Sequence, residues 1–329
     1  MKFSVIIPTY NSAATLKILL DSLAKQTISD HEVIVVDDAS NDDTATIAAS
    51  YQVKYLRLET NQGPAAARNH GAREAAGQWF VFTDADTVFE PDTLQSIQKA
   101  VDASDAAALF GSYSGEPANS GFLPSYKALW DQYAIDMTLQ KDQRDLYPSN
   151  SWLPRPGVVR REAFHAIGGF DTRFKGPDLE DMEFGYRLFD ARYAIYYTPH
   201  IHILHHYPRD FFTEQSRFFR RCVLWMRMTL RRKRLDSYGD GSPILLQKHI
   251  CGLVTFWLAV AGSLFKPLLA LALIGLLLHT FLHRRFLSLA YRKRGLSFTA
   301  LSFATYWFHT VSAGFAGGVG LLTFLLGNK

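Results

Sequence analysis

From Phe3 to Tyr113 the chain alternates short runs of β-branched and aromatic residues with stretches of helical period. FSVII is followed by TLKILLDSLAKQ, in which Leu16, Leu19, Leu20 and Leu23 fall at i, i+3, i+4 and i+7, the spacing of one helix face. The same succession returns as EVIVV before a helix over about 42–51, VKYLRL before a helix that Pro64 opens, QWFVFT before the helix of PDTLQSIQKAV, and then AALFGSY. Strict alternation predicts an α/β fold, with a mainly parallel central sheet flanked by helices on both faces. Such sheets bind ligands at the carboxyl ends of their strands, which singles out PTYN after the first run, DDAS after the second and TDADT after Trp79–Phe82. No glycine-rich phosphate loop follows the first strand, which argues against a dinucleotide or P-loop site.

Beyond Leu235 the pattern changes. ICGLVTFWLAVAGSLFKPLLALALIGLLLHTFL is apolar apart from Lys266-Pro267 and a few polar residues, and FTALSFATYWFHTVSAGFAGGVGLLTFLL follows it. A straight membrane span takes roughly 20 apolar residues. The first stretch is therefore read as a hairpin split at Lys266-Pro267, giving helical segments over 250–265, 267–282 and 299–326 in a membrane region covering 236–329. The Ser, Thr and His residues of the last segment leave an interfacial or re-entrant placement open, while the glycines of SAGFAGGVG allow close helix packing. The basic clusters RFFRRCVLWMRMTLRRKR and HRRFLSLAYRKR flank the hairpin, the second as a loop, and both are expected on the cytosolic side.

Composition sharpens this division. The 329 residues are 48% hydrophobic and carry a net charge of only +4, so the local basic clusters suit an anionic lipid surface rather than nucleic acid. Cys222 and Cys251 stand far apart and suggest neither a disulfide framework nor a metal knot. MKFSVIIPTYN has one lysine and an apolar run ended by Pro8, so it does not read as a secretory signal. The domain over 1–235 is expected to face the cytosol at the inner membrane.

Asp84 and Asp86 supply the first candidate chemistry. A lone Asp-X-Asp fits turns and helix caps as readily as ligands. Here it follows a buried strand, and two carboxylates in a crevice repel unless a proton or cation stands between them. A divalent metal, Mg²⁺ or Mn²⁺, carrying a diphosphate resolves that repulsion.

With these residues in place, SVIIPTYNSAATL, EVIVVDDASNDDT, NQGPAAARNHGAREAAGQWFVFTDADT and GGFDTRFKGPDLEDMEFGYRL resemble successive signatures of family 2 glycosyltransferases with the GT-A fold, over residues 3–210. The resemblance implies inverting transfer from a nucleotide-diphospho-sugar, with a UDP-sugar expected. It implies that Pro8, Thr9 and Tyr10 line the nucleotide pocket, that Asp38 reaches the nucleobase, and that Asp86 ligates the metal while Asp84 contacts the sugar or ribose or shares the metal. Arg68 either offsets phosphate charge or is an exposed helix arginine. Glu180 and Asp181 match the family's catalytic pair, with Asp181 as the base that takes the acceptor hydroxyl's proton and the metal as Lewis acid for the departing diphosphate. Asp181 also fits a helix N-cap. His205 stands where the family often places a histidine that completes the metal or diphosphate site; His200, His202 and His206 match less well.

On the acceptor side, YPSNSWLPRPGVVRREAFHAIGGFD resembles the family's acceptor segment. Gly168 and Gly169 permit close backbone approach, Asp171 caps a turn or touches an acceptor hydroxyl, and Trp152 stacks on a sugar ring or lipid unless it packs locally. FTEQSRFFRRC stands where processive synthases carry Gln-X-X-Arg-Trp, and Gln215, Arg217 and Arg220 give only a partial likeness. The resemblance thus divides the first domain into a nucleotide-sugar half, 1–113, and an acceptor half with an interfacial helix, 114–235. The expected activity is metal-dependent transfer to a membrane-associated, lipid-linked or glycan acceptor in polysaccharide or other glycan biosynthesis. The alternatives are a polyprenyl-phosphate sugar synthase, a processive polysaccharide synthase and, outside the enzymes, a sugar-nucleotide-binding membrane scaffold.

Overall fold

The computed structural model describes residues 1–138, 144–176, 178–237 and 241–327. The chain divides into two compact units, Met1–Ser120 with Leu139–Tyr207, and Gly121–Thr138 with Pro208–Lys329. In chain order the elements are β1 (Phe3–Thr9), α1 (Ala13–Leu23), β2 (His31–Asp37), α2 (Thr44–Ala49), β3 (Lys54–Arg57), α3 (Pro64–Glu74), β4 (Trp79–Phe82), β5 (Thr87–Phe89), α4 (Thr93–Asp102) and β6 (Ala108–Tyr113). There follow α5 (Phe122–Thr138), β7 (Tyr147–Pro148), β8 (Gly157–Arg160), α6 (Arg161–Ala166), α7 (Glu180–Asp190), β9 (Ile195–His205), α8 (Phe211–Arg232), α9 (Pro243–Gly262), α10 (Pro267–Leu282) and α11 (Arg284–Leu325).

The first unit is built on one sheet of order β3-β2-β1-β4-β8-β6-β9-β5, with β7 paired to β9. β3, β2, β1 and β4 are parallel neighbours, as the alternation predicts. β8 then runs antiparallel between β4 and β6, and β5 antiparallel to β9. Six strands still point one way, because β6 and β9 lie parallel to each other and β8 opposes both β4 and β6. Phe3, Val5, Ile6 and Ile7 of β1 are each 0% exposed, which is the signature of a strand covered on both faces. α1 buries Leu16, Leu19, Leu20 and Leu23, the four positions its period selects, each worth about 1.5–3 kcal/mol when fully buried.

One departure from strict alternation and one glycine position the site. The chain leaves β4 through Thr83–Asp86 and immediately forms β5, whose Thr87 pairs with His205 at the end of β9. Gly63, before α3, has φ 90°, and a Cβ there would lie 2.4 Å from the Lys175 carbonyl oxygen. Only glycine allows that approach.

The second unit gathers α5 with α8–α11, so residues 122–138 and the chain from 208 onward group with the apolar helices. α9 begins at Pro243 and ends at Gly262, earlier at both ends than the 250–265 expected, because Pro243 opens the helix ahead of the apolar run. α10 matches the expected 267–282. The basic segment expected as a loop is helical instead. Within α11 only Gly295 leaves helical geometry, with φ 82° and ψ −176°, so 284–294 forms a helix of its own before the last apolar segment. Its Phe286 and Ala290, one turn apart, are both 0% exposed and join a core with Trp130 and Tyr133 of α5 and Tyr306 of α11.

Candidate functional site

The carboxyl ends of β1, β2 and β4 meet at one edge of the parallel half, where Thr9 lies opposite Asp37. Asp37 is wholly buried and structural: it accepts from Tyr55 Oη at 2.5 Å, Arg57 Nη1 at 2.9 Å and the Ser40 amide at 2.8 Å. Asp38, 4% exposed, accepts from the backbone amides of Gln62 at 2.7 Å and Gly63 at 2.8 Å. Both its oxygens thus fix the loop entering α3. Thr9 is buried with no hydrogen-bond partner on Oγ1, Pro8 is half-buried, and Tyr10 stands exposed at the strand end. The loops after β1 and β2 are pinned together, since the Asn11 amide donates to Ser40 Oγ and the Asn41 amide to Asn11 Oδ1. Asn11 and Ala39 both have positive φ, 48° and 64°, an uncommon backbone state for residues other than glycine. This pinning is not written in the local pattern, where Asn11 beside a strand end is its one signal.

Arg68 is not the exposed helix arginine that one expectation allowed. It is 3% exposed, which excludes the exposed-arginine reading, and its fork spans two carboxylates: Nη2 donates to Asp84 at 2.7 Å and Nη1 to Glu180 at 2.8 Å. Burial alone would make the guanidinium easier to deprotonate, but Asp84 and Glu180 outweigh it and hold Arg68 charged. The next residue, Asn69, gives Nδ2 to the Phe170 carbonyl and takes the Phe170 amide on Oδ1, both at 2.8 Å. α3 therefore locks the segment that leads into α7 by two adjacent side chains.

Several residues expected on the acceptor side have other partners within the fold. Gly169, at φ 70°, sits where a Cβ would come within 2.6 Å of Asn69 Oδ1, so the glycine serves the clamp. Asp171 accepts from the Arg173 amide at 2.9 Å and its guanidinium at 2.7 Å, which is the turn reading. Trp152 is 0% exposed and its Nε1 donates to the Val158 carbonyl at 3.2 Å. It packs among Phe82, Phe170 and Phe184, with ring centroids at 5.1–6.1 Å, so it is core and cannot stack on a sugar. Gln215, in the second unit, is 9% exposed and donates to Ser312 Oγ at 2.6 Å, tying α8 to α11, while Arg217 beside it is exposed. Of the partial likeness to a processive motif, Gln215 thus serves helix packing.

Glu180 and Asp181, the pair expected to be catalytic, differ in their surroundings. Glu180 is 3% exposed and accepts from Arg68 on one oxygen and from the Asp178 amide at 3.0 Å on the other, so its carboxyl group is buried and fixed in place. Asp181 is half-buried in the first turn of α7, where the cap position belongs to Leu179; its Oδ1 accepts the Met182 amide at 2.7 Å.

Asp84 and Asp86, just after β4, keep solvent access, with side chains 35% and 43% exposed. His205 Nε2 lies 3.3 Å from Asp86 Oδ1, and the His206 amide donates to the Asp86 carbonyl at 2.8 Å. Tyr113 and Tyr207 flank the His205 ring, each with centroids 4.5 Å away. His202 instead meets Ser112 and His200 meets Asp145. Partial burial, and after it the neighbouring Asp86, raises Asp84 above the usual carboxylate range against the pull of Arg68. For Asp86, burial works in the same upward direction, but His205 outweighs it and holds Asp86 below that range.

Asp86 Oδ1 and His205 Nδ1 are buried atoms without hydrogen-bond partners, and an oxygen ligand beside an imidazole suits a divalent cation. Among the described residues no group of three or more His, Cys, Asp or Glu is arranged around a metal. The donor set therefore fits a cation whose other ligands come from phosphate or water.

Comparison with known proteins places this geometry in context. Residues 4–167 match the model of Glycosyl transferase family 2. The chain is 32% identical over 187 residues to an uncharacterized glycosyltransferase of Haemophilus influenzae, covering 56% of this chain and 61% of that protein, less than two thirds of its length. It is 31% identical over 212 residues to a PGL/p-HBAD biosynthesis glycosyltransferase of Mycobacterium tuberculosis, covering 61% of this chain and 74% of that one. In fold it resembles the mannosyltransferase PcManGT of Pyrobaculum calidifontis, solved with GDP-Man and Mn²⁺, at a TM-score of 0.59 and 19% identity, covering 100% of this chain and 88% of the other.

Proposed function

The chain belongs to glycosyl transferase family 2, and from that premise we propose that it transfers a sugar, with inversion, from a nucleotide-diphospho-sugar to a lipid-linked acceptor at the inner face of the cytoplasmic membrane. The observation that carries this reading is the cluster after β4, where Asp84 and Asp86 keep solvent exposure, Asp86 beside His205, while Arg68 ties Asp84 to the start of α7. Asp86 and His205, with Asp84 beside them, would hold Mn²⁺ or Mg²⁺. The bound ion supplies charge neutralisation and Lewis-acid assistance to a departing diphosphate. The strand-end loops that Asp38, Asn11 and Ser40 fix are the wall against which a UDP-sugar's nucleoside would rest.

Asp181 is the proton acceptor for the acceptor hydroxyl. Glu180 shares its turn but is saturated by Arg68 and the Asp178 amide, so it positions rather than reacts. The membrane part of the reading rests on α9 and α11, long and apolar enough to cross a bilayer, with only 28% and 22% of their apolar windows buried within the protein. The core helix of a soluble protein would be mostly covered. Leu264, Phe265, Leu277 and Phe281 are each more than half exposed, and a bilayer is the solvent that accepts such a surface.

Asp86→Ala tests the donor site. It should abolish turnover and weaken Mn²⁺-dependent binding of the nucleoside diphosphate, measured by calorimetry with and without EDTA. Full activity of the EDTA-treated wild-type protein would overturn the metal assignment.

A further inference from the structure

From Pro243 to Gly327 the chain contains seven Lys and Arg but no Asp or Glu. Six of those cations are exposed. Lys248, in the second turn of α9, is 6% exposed, and its ammonium reaches the Tyr133 hydroxyl of α5 only at 3.5 Å. Among the described residues it makes no ion pair. A buried ammonium is costly to the fold unless an anion compensates it.

Its surroundings deepen the imbalance. Arg284 and Arg285, at the start of α11, stand close enough to Lys248 to repel it. Arg285 rests on Met137, one turn beyond Tyr133, and Arg284 lies over the Phe281 ring at 4.0 Å. At the end of α10, His279 is 0% exposed with neither ring nitrogen hydrogen-bonded. His283, 1% exposed, places Nδ1 at 2.8 Å from the His279 carbonyl and leaves Nε2 without a partner. The two rings are 4.4 Å apart. Gly252 leaves the space for His279, since a Cβ there would lie 3.0 Å from its ring.

We infer that the second unit binds the phosphate headgroup of an anionic lipid through Lys248, Tyr133, His279, His283 and the Arg284-Arg285 pair; the inference rests on the membrane reading above. A phosphate supplies what this cluster lacks, negative charge together with several acceptor oxygens, and ammonium and guanidinium donors form their stronger hydrogen bonds to such groups. A cation would meet three like charges, and no three potential ligands among the described residues are arranged for a metal. A lipid is the source because the cluster lies where α9 begins and α10 ends, beside the exposed apolar side chains of Ile250, Leu278 and Phe281. Basic pockets between spanning helices are a known setting for lipid headgroups.

The test uses the full chain in nanodiscs of phosphatidylcholine, alone or with phosphatidylglycerol or a polyprenyl phosphate added, and with inorganic phosphate as the soluble probe. The readout is the unfolding temperature, which does not depend on sugar transfer. The wild-type protein should unfold at a higher temperature with at least one of the two anionic lipids than in phosphatidylcholine alone. Lys248→Met keeps the volume and removes the charge, and should lose that gain. The double variant Arg284→Gln/Arg285→Gln, changed on exposed positions, should reduce it even if Lys248→Met fails to fold. A gain confined to polyprenyl phosphate assigns the site to an acceptor-type lipid, and an equal gain with phosphatidylglycerol to the anionic bilayer. No gain with either lipid, an undiminished gain in the variants, or the same gain from inorganic phosphate overturns the inference. Failure of the protein to enter nanodiscs would instead defeat the membrane reading itself.

Discussion

Asp181 and Asp84 are both carboxylates of the candidate site, yet their surroundings give them different work. Asp181→Asn preserves shape and removes the proton acceptor, so donor binding should survive while kcat falls by about 10²–10⁴-fold, as for a lost general base. Equal losses of donor affinity and kcat in steady-state and binding measurements would mark Asp181 as structural. Asp84 has its pKa raised from the ordinary 3.8, by burial first and Asp86 second. The folded protein therefore holds this proton more tightly than the unfolded chain. Acidification through the window just above 3.8 favours the fold at this position, whereas the lowered Asp86 withdraws its contribution only below that value. Mn²⁺-dependent nucleotide affinity should accordingly fall with pH before the fold is lost, and Asp84→Asn should remove that step from the calorimetric pH profile. Asp84 and Asp86 were legible as candidates because acids that follow a buried strand are visible in the sequence, and Asp181 through its match to the family's Glu-Asp pair. The state of Arg68 was not, because its two partners lie 16 and 112 residues away.

At the scale of elements, the docking of α3 onto the start of α7 carries most of what the sequence hid. Arg68 and Asn69 are consecutive, and each clamps a separate point of the chain between Gly169 and Glu180. Removing one member of a buried ion pair costs about 3–5 kcal/mol, because the remaining charge is stranded. Arg68→Met should therefore lower the unfolding temperature sharply, and Arg68→Met combined with Glu180→Gln should recover part of the loss. Additive losses in that double-mutant cycle would show that the pair is not coupled. The same packing decides between the alternatives that Trp152 and Asp171 leave open in the sequence, local packing for the first and a turn for the second, because burial and partners are properties of the packed segment and not of the residue type. The helix over 284–294 was read as a loop for the related reason that its apolar face, Phe286 and Ala290, finds its partner only in α5.

Across the whole molecule, topology follows from charge and length. The turn Ser263–Lys266 between α9 and α10 should reach the side opposite the basic helix that contains Ser288. α9, with 20 residues, rises about 30 Å, a full hydrocarbon thickness, and α10, with 16, about 24 Å, so the bilayer must thin locally or the hairpin must sit asymmetrically. Single cysteines at Ser288 and Lys266, in a background lacking Cys222 and Cys251, should be distinguished by a membrane-impermeant thiol reagent on intact cells. Labelling at Lys266 alone supports the hairpin, labelling at Ser288 places the basic helix outside, and no labelling at either favours a re-entrant pair. The sequence by itself determined the alternation of strands and helices, the buried face of α1, the strand-end acids and the apolar hairpin, because each is written in local period and composition. Only the tertiary structure decided that β8 and β5 run antiparallel, that Arg68 joins Asp84 to Glu180, and that Lys248 is buried among like charges. Those facts depend on which distant segments pack together, and hydrophobic period records the face an element buries without recording what covers it.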